Sequence, residues 1–186
     1  MEQDYPDISD LNERDINILQ VIVEENLTHF TFEGLKRRLQ IHPETLSRIL
    51  YRLTDQEILK KNKKGYTLTS KTKKLLNTKP NNYVNPNLRL LQTFLPPEIS
   101  IKTVISNLSG KWFGNLRWLG YSETNEGPCL KWITTNGGTI LSAIFSQGKL
   151  NIEAKIITEI ELNTALNASH QLLSHITKLI SRTHSN

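Results

Sequence analysis

Cysteine and long apolar runs are the two features that this sequence most clearly lacks. A single cysteine, Cys129, among 186 residues excludes an internal disulfide and is typical of a protein in a reducing compartment. No apolar run approaches the ~20 residues that span a bilayer, and the acidic first residues lack the apolar stretch of a signal peptide. We therefore expect a soluble, cytoplasmic protein that has no membrane partner.

Patterns typical of catalysis or metal binding are also missing. The five histidines show no spacing to Cys, Asp or Glu that would suit zinc. Cys129 has no companion motif, so a small buried hydrophobic residue is a better interpretation than a nucleophile. Trp112, Trp118 and Trp132 lie in strand-like segments, where large aromatics either belong to the core or line a ligand pocket. We expect neither an enzyme nor a bound cofactor or metal.

Acidic residues are scarce in one part of the chain. Residues 34–80 hold thirteen Lys or Arg against three acids, a net charge of +10, whereas residues 1–33 carry −8 and residues 81–186 carry +3. Such concentrated positive charge is typical of a protein that binds a polyanion. A solvated charge run is the alternative, so the pattern needs a structural context.

The basic segment contains a short amphipathic helix. Pro43 suits a first helical position, and Leu46, Ile49, Leu50 and Leu53 recur at helical spacing. The other side carries hydroxyl, arginine and tyrosine side chains, which can reach phosphates and base edges in a major groove. Arg48 and Tyr51 face away from the stripe together with Glu44 and Asp55, and Thr45, Ser47 and Arg52 lie on the flanks.

Two helices are predicted before this one. The first runs from about residue 11 to 25, with Asp10 as its cap and an apolar stripe that begins at Ile16. Thr31 is expected to cap the second helix. The outward face of that second helix carries Lys36, Arg37 and Arg38.

A β-hairpin and a basic helical turn are predicted after the third helix. Two strand-like pieces within residues 58–69 flank an Asn/Lys/Gly turn, which indicates a hairpin, and the basic turn covers 71–76. Three helices followed by a hairpin form a winged helix-turn-helix, in which the third helix reads DNA and the hairpin is a wing.

The same region reads HPETLSR over 42–48, DQEIL over 55–59 and YTLT over 66–69. In these stretches it resembles prokaryotic winged-helix transcriptional regulators, the MarR and ArsR types in particular. The resemblance covers roughly residues 10–77 and implies that the third helix lies in the major groove while the wing contacts the DNA backbone or minor groove. The groove residues so implied are Thr45, Ser47, Arg48, Tyr51 and Arg52, and the wing residues are Lys60, Lys61, Lys63 and Lys64. Glu57 departs from the pattern, because many such proteins have Gly at the end of this helix.

The composition changes after Asn77. Residues 78–97 are rich in Asn and Pro at their start and are interpreted as a linker between a winged-helix domain over 1–77 and a second domain over 98–186. The second domain begins with a short helix, continues with four short strands separated by tight turns, and ends with a long helix. We therefore predict an α+β fold, with a four-stranded antiparallel sheet flanked by helices after the winged helix.

The last helix has an apolar seam with heptad-like spacing. One interpretation is a helix that covers one face of the sheet, another is a dimer seam, and both can hold together. The dimerisation candidates are Leu166, Leu173, Ile176 and Ile180.

These features predict a sequence-specific regulator of transcription that binds double-stranded DNA as a homodimer, with a small-molecule effector as a possible further partner. Lys36 and Arg37 would join the wing lysines in neutralising phosphates. Two alternatives stay open. One is a winged-helix module for protein–protein contacts in a transcription or replication assembly, and the other is a small-molecule sensor built on the C-terminal sheet.

Overall fold

Three helices and a β-hairpin form the N-terminal part of the chain in the computed structural model, which describes residues 11–70, 72, 87–158 and 162–183. The chain divides into two units, Met1–Val84 and Asn85–Asn186. The elements of the first unit are α1 (Glu13–Glu24), β1 (His29–Phe30), α2 (Phe32–Leu39), α3 (Pro43–Asp55), β2 (Leu59–Asn62) and β3 (Gly65–Leu68). Both β1 and β2 pair with β3 in antiparallel fashion. The three predicted helices and the hairpin are confirmed as elements, whereas the basic turn predicted over 71–76 lies outside the described residues except for Thr72.

Side-chain caps begin the first two helices. The Asn12 side chain accepts a hydrogen bond from the backbone N–H of Asp15 at 3.0 Å, so α1 has its cap at Asn12, and Asp10 lies outside the described residues. Thr31 caps α2 as predicted, through a 3.2 Å bond from the N–H of Gly34. The predicted α1 stripe is wrong at its first position, because Ile16 is 45% exposed and the buried face starts instead at Asp15.

The second unit contains two helices and five strands among its described residues. They are β4 (Leu88–Phe94), α4 (Ile101–Leu108), β5 (Leu116–Thr124), β6 (Gly127–Thr134), β7 (Thr139–Ser146), β8 (Lys149–Ile156) and α5 (Leu162–Thr183). Within this unit the strands pair antiparallel in the order β5-β6-β7-β8-β4. The α+β class is confirmed, but the predicted four-stranded sheet has a fifth strand, β4, inside the stretch interpreted as a linker. A register shift between Arg89 and Leu91 interrupts the alternation of β4, which explains why its sequence did not read as a strand.

Helices α4 and α5 cover one face of this sheet. The core between them includes Trp118 and Trp132, which are 4% and 0% exposed and pack edge to face with ring centroids 5.3 Å apart. Of the three tryptophans only Trp112, 57% exposed, lies outside this core. The tight turns carry glycine where the backbone demands it. Gly127 has φ +132°, and a Cβ there would meet the carbonyl oxygen of Phe145 at 2.2 Å.

The seam of α5 belongs largely to this core. Ile176 and Ile180 are buried in it, at 0% and 9% exposure, and Leu173 is half-buried against it. Leu166 is also half-buried. The interpretation of α5 as a helix that covers the sheet is therefore confirmed. Their burial leaves Ile176 and Ile180 little surface for contact with another copy, and the dimer seam stays a prediction.

Candidate nucleic-acid interface

Helix α3 is anchored through one face and leaves the other exposed. His42 is the N-cap of the helix and Pro43 is its first residue. The predicted stripe is confirmed, because all four of its apolar side chains are at most 2% exposed. These side chains are Leu46, Ile49, Leu50 and Leu53. Burying four aliphatic side chains fixes the rotation of the helix about its axis and so determines which residues face outward.

The outward face of α3 combines an arginine, a serine and a tyrosine. Ser47 is exposed, Tyr51 is 73% exposed, and Thr45 is half-buried. The side chain of Arg48 is 72% exposed and pairs with Glu44, one turn earlier, at 2.5 Å between Nη2 and Oε1. Because both partners are in solvent, this pair holds Arg48 weakly. Arg48 is thus available to an incoming acceptor.

Arg52 lies at the edge of the same face, and its guanidinium is bound by Asp15 of α1. Its Nη2 and Nε donate to the two carboxylate oxygens of Asp15 at 2.6 and 3.2 Å, which links α3 to α1. These hydrogen bonds raise the pKa of Arg52 above its ordinary value. The Asp15 side chain is 3% exposed, while that of Arg52 is 41% exposed. Together with Ser47, Arg48 and Tyr51, Arg52 lines a shallow depression on this surface.

The β2–β3 hairpin presents the lysines. The side-chain oxygen of Asn62 accepts a 2.9 Å hydrogen bond from the N–H of Lys64, and Gly65 follows with φ +139°. A Cβ at Gly65 would lie 2.2 Å from the carbonyl oxygen of Phe30, so glycine is required where the hairpin passes β1. The four predicted wing residues, Lys60, Lys61, Lys63 and Lys64, are all exposed.

The four exposed lysines of the hairpin carry charge that is not neutralised by a described acid. Across the described ranges, no carboxylate lies within ion-pairing distance of any of them. Lys61 lies over the ring of Tyr66 at 5.9 Å, and that ring stacks on Phe30. In β1, beside the hairpin, burial lowers the pKa of His29. A hydrogen bond with the backbone of Lys64 partly opposes this shift, and the charge of Lys64 adds to it.

The cations of α2 are more fully engaged. Lys36 and Arg37 both reach Glu33, at 2.8 and 3.5 Å, and their side chains are 30% and 23% exposed. Arg38, expected on the outward face, pairs with Glu25 at 2.9 Å, and Glu25 is 1% exposed. Glu33 therefore partly neutralises the charges of Lys36 and Arg37, the two residues of α2 that were predicted to contact phosphates.

Asp15 and Glu25 are two buried acids that the sequence did not predict as part of this region. They pair with Arg52 and Arg38. Asp15 could have been found, because it falls three, four and seven residues before Ile18, Leu19 and Ile22, in register with a buried stripe. An ionised side chain in such a position is costly unless a cation pairs with it. No comparable signal identifies Glu25, which follows the last residue of α1.

Outside this surface, the described residues contain fewer features that indicate a function. No group of three or more His, Cys, Asp and Glu side chains is placed to hold a metal ion in the ranges described. Cys129 is buried as predicted, and burial raises the pKa of its thiol. Among the helices described, none combines the length and the apolar content required to cross a membrane.

Comparisons with known proteins give no independent guide to this surface. No family model matches the chain, and neither a curated protein nor a solved structure matches it.

Proposed function

We propose that the N-terminal unit is a winged helix-turn-helix and that the protein binds double-stranded DNA to regulate transcription. One observation carries the proposal. Helix α3 buries one face completely and exposes Ser47, Arg48 and Tyr51 on the other, in the same unit as a hairpin with four exposed lysines. In this proposal α3 enters the major groove and the hairpin is the wing.

In this proposal, some side chains of the surface contact bases and others contact phosphates. Arg48 is the residue best suited to read a base, because a guanidinium can donate two hydrogen bonds to the edge of a guanine. Ser47 and Tyr51 flank it and can donate to phosphates or bases. The wing lysines neutralise phosphates, and Arg52 acts chiefly through Asp15 by fixing the position of α3. A single module of this size buries modest surface on DNA, so we include a homodimer in the proposal. Light scattering on the full chain measures the oligomeric state directly.

The decisive experiment is a salt titration of DNA affinity with the full chain. Removing one phosphate contact lowers the slope of log K against log salt by about 0.9, so Lys63→Ala/Lys64→Ala should lower it by nearly two. Lys102→Ala/Lys149→Ala is the matched control, since it removes the same charge from exposed positions of the C-terminal unit. Equal slopes for the two double variants, or no salt-dependent affinity in the unaltered protein, would contradict the proposal.

A protein–protein module is the second candidate, and the acids on α3 favour it. Glu44 and Asp55 are exposed on the same side as Tyr51, and carboxylates there would repel phosphates. An exposed tyrosine beside an arginine is also typical of the centre of a protein interface. On this alternative, Arg48→Ala leaves DNA affinity unchanged, whereas Tyr51→Ala abolishes capture of a protein partner.

A further inference from the structure

A concave basic pocket lies in the C-terminal unit and shares no residue with the α3 surface or the wing. Its volume is about 430 Å³, within the range of small-molecule sites. The end of α4, the loop over 109–115 and the last third of α5 form its walls. The residues that matter are Lys111, Phe113, His175, Lys178, Leu179 and Arg182.

The wall supplied by α5 is one continuous helix face. His175 is followed by Lys178, Leu179 and Arg182 at intervals of three, four and seven residues, so their side chains project from the same side of the helix. Lys111 comes from the loop that follows α4 and brings a third cationic side chain to the pocket. No acid is among the described residues that line it.

The three cations are not compensated within the part of the chain that is described. No described carboxylate lies within ion-pairing distance of Lys111, Lys178 or Arg182. Lys178 and Arg182 are one turn apart, a spacing at which like charges repel. The partial negative charge at the C-terminus of α5 offsets this repulsion for Lys178 and Arg182. It does not stabilise the charge of Lys111, which lies in a loop. An anion in the pocket would relieve all three.

The floor is apolar and held in place. The Phe113 ring stacks on His175 with centroids 4.7 Å apart and also contacts the ring of Trp132 at 5.8 Å. The indole N–H of Trp132 donates to the carbonyl oxygen of Lys111 at 2.9 Å, which ties the loop to the core. Backbone hydrogen bonds between Phe113 and Leu116, at 3.0 and 2.7 Å, close the loop on its other side. A floor that is fixed in advance loses little entropy when a ligand lies on it.

We propose that this pocket binds an organic phosphate of mononucleotide size, with its phosphate on Lys111, Lys178 and Arg182 and its flat ring against Phe113 and Leu179. A phosphate monoester carries close to two negative charges at neutral pH, so it balances three cations that line one pocket better than a single carboxylate does. The apolar floor gives the rest of the ligand a surface on which to lie.

Isothermal titration of the full chain tests this site without DNA. The probes are AMP, adenosine and inorganic phosphate, in separate titrations at one salt concentration. AMP should bind, and adenosine and phosphate should each bind at least about tenfold more weakly, because each lacks one half of the recognition. No heat with AMP, or equal affinity for AMP and free phosphate, would overturn the proposal.

Two variants decide whether any binding belongs to this pocket. Lys178→Gln/Arg182→Gln changes two exposed side chains, so the fold should be retained, and AMP affinity should fall about tenfold or more. Lys102→Gln/Lys149→Gln removes the same charge elsewhere in the unit and should leave AMP affinity unchanged. Equal losses in both variants would indicate non-specific attraction and overturn the proposal.

A separate measurement of DNA affinity distinguishes this site from the DNA surface. If Lys178→Gln/Arg182→Gln lowers DNA affinity while the unaltered protein does not bind AMP, the pocket is a polyanion contact and the ligand proposal fails. Binding of AMP in a protein that shows no DNA affinity would leave the pocket established and remove the proposed DNA function instead.

Discussion

Arg52 binds Asp15 through two hydrogen bonds, and this pair ties the exposed helix α3 to α1 beneath it. Nη2 and Nε of Arg52 lie 2.6 and 3.2 Å from the two oxygens of a carboxylate that is 3% exposed. A fork-to-fork pair of this kind fixes geometry as well as charge. The orientation of α3 therefore depends on this ion pair in addition to its apolar stripe.

We expect Arg52→Ala to lower the free energy of unfolding by about 2–3 kcal/mol, because it leaves the Asp15 carboxylate buried without its partner. Arg48→Ala is the control, since its pair with Glu44 is in solvent and its removal should cost about 0.5 kcal/mol or less. Urea denaturation of the full chain measures both. In Asp15→Asn protein the effect of Arg52→Ala should shrink, and an undiminished effect would show that Arg52 stabilises the fold in some other way.

The sequence predicted the parts of this surface that follow from periodicity. Leu46, Ile49, Leu50 and Leu53 are buried because a helix with an apolar stripe has only one way to dock. A rule that counts apolar residues alone overlooks Asp15, which occupies a buried position by pairing with a cation 37 residues away. Strand β4 was missed for a related reason. Its partner β8 is distant in sequence, and its register shift breaks the alternation on which strand prediction depends.

Glu57 offers a way to stabilise the protein. Helix α3 ends in a Schellman motif, in which the N–H of Ile58 bonds to the carbonyl of Leu53 at 2.9 Å and Glu57 adopts φ +57°. A residue with a Cβ is strained in this left-handed region, so Glu57→Gly should raise the free energy of unfolding by about 0.5–1 kcal/mol. Glu57→Ala removes the same carboxylate but keeps the Cβ. Equal stability of the Gly and Ala variants in urea would show that charge, and not backbone strain, matters here.

His29 should make the folded state sensitive to mild acid. Burial lowers its pKa in the folded protein, so the unfolded chain binds a proton first as the pH falls through about 6.5. Stability attributable to His29 is therefore complete above that pH and declines toward the lower, folded pKa, by at most about 1.4 kcal/mol per pH unit. His29→Gln should remove this decline. The measurement is the difference in unfolding free energy between the two proteins at about pH 7.5 and 5.5, and a constant difference would refute the assignment.

Glu44 is expected to lower the affinity of the proposed surface for DNA. Its carboxylate pairs with Arg48 at 2.5 Å and places a negative charge beside the residue assigned to base contact. Glu44→Gln should therefore tighten binding to a mixed-sequence DNA duplex by several-fold to about tenfold at low salt, with the gain shrinking as salt rises. The stability cost should be about 0.5 kcal/mol, since the carboxylate also favours the first turn of α3.

Two comparisons keep the Glu44 prediction specific. Glu126→Gln makes the same charge change at an exposed turn of the C-terminal unit and should leave DNA affinity nearly unchanged. In Arg48→Ala protein, Glu44→Gln should gain less than it does in the unaltered chain, because the arginine that it releases is absent. Fluorescence anisotropy at fixed salt measures each affinity. A gain from Glu126→Gln as large as that from Glu44→Gln would mean that only net charge, and not the face of α3, governs the interaction.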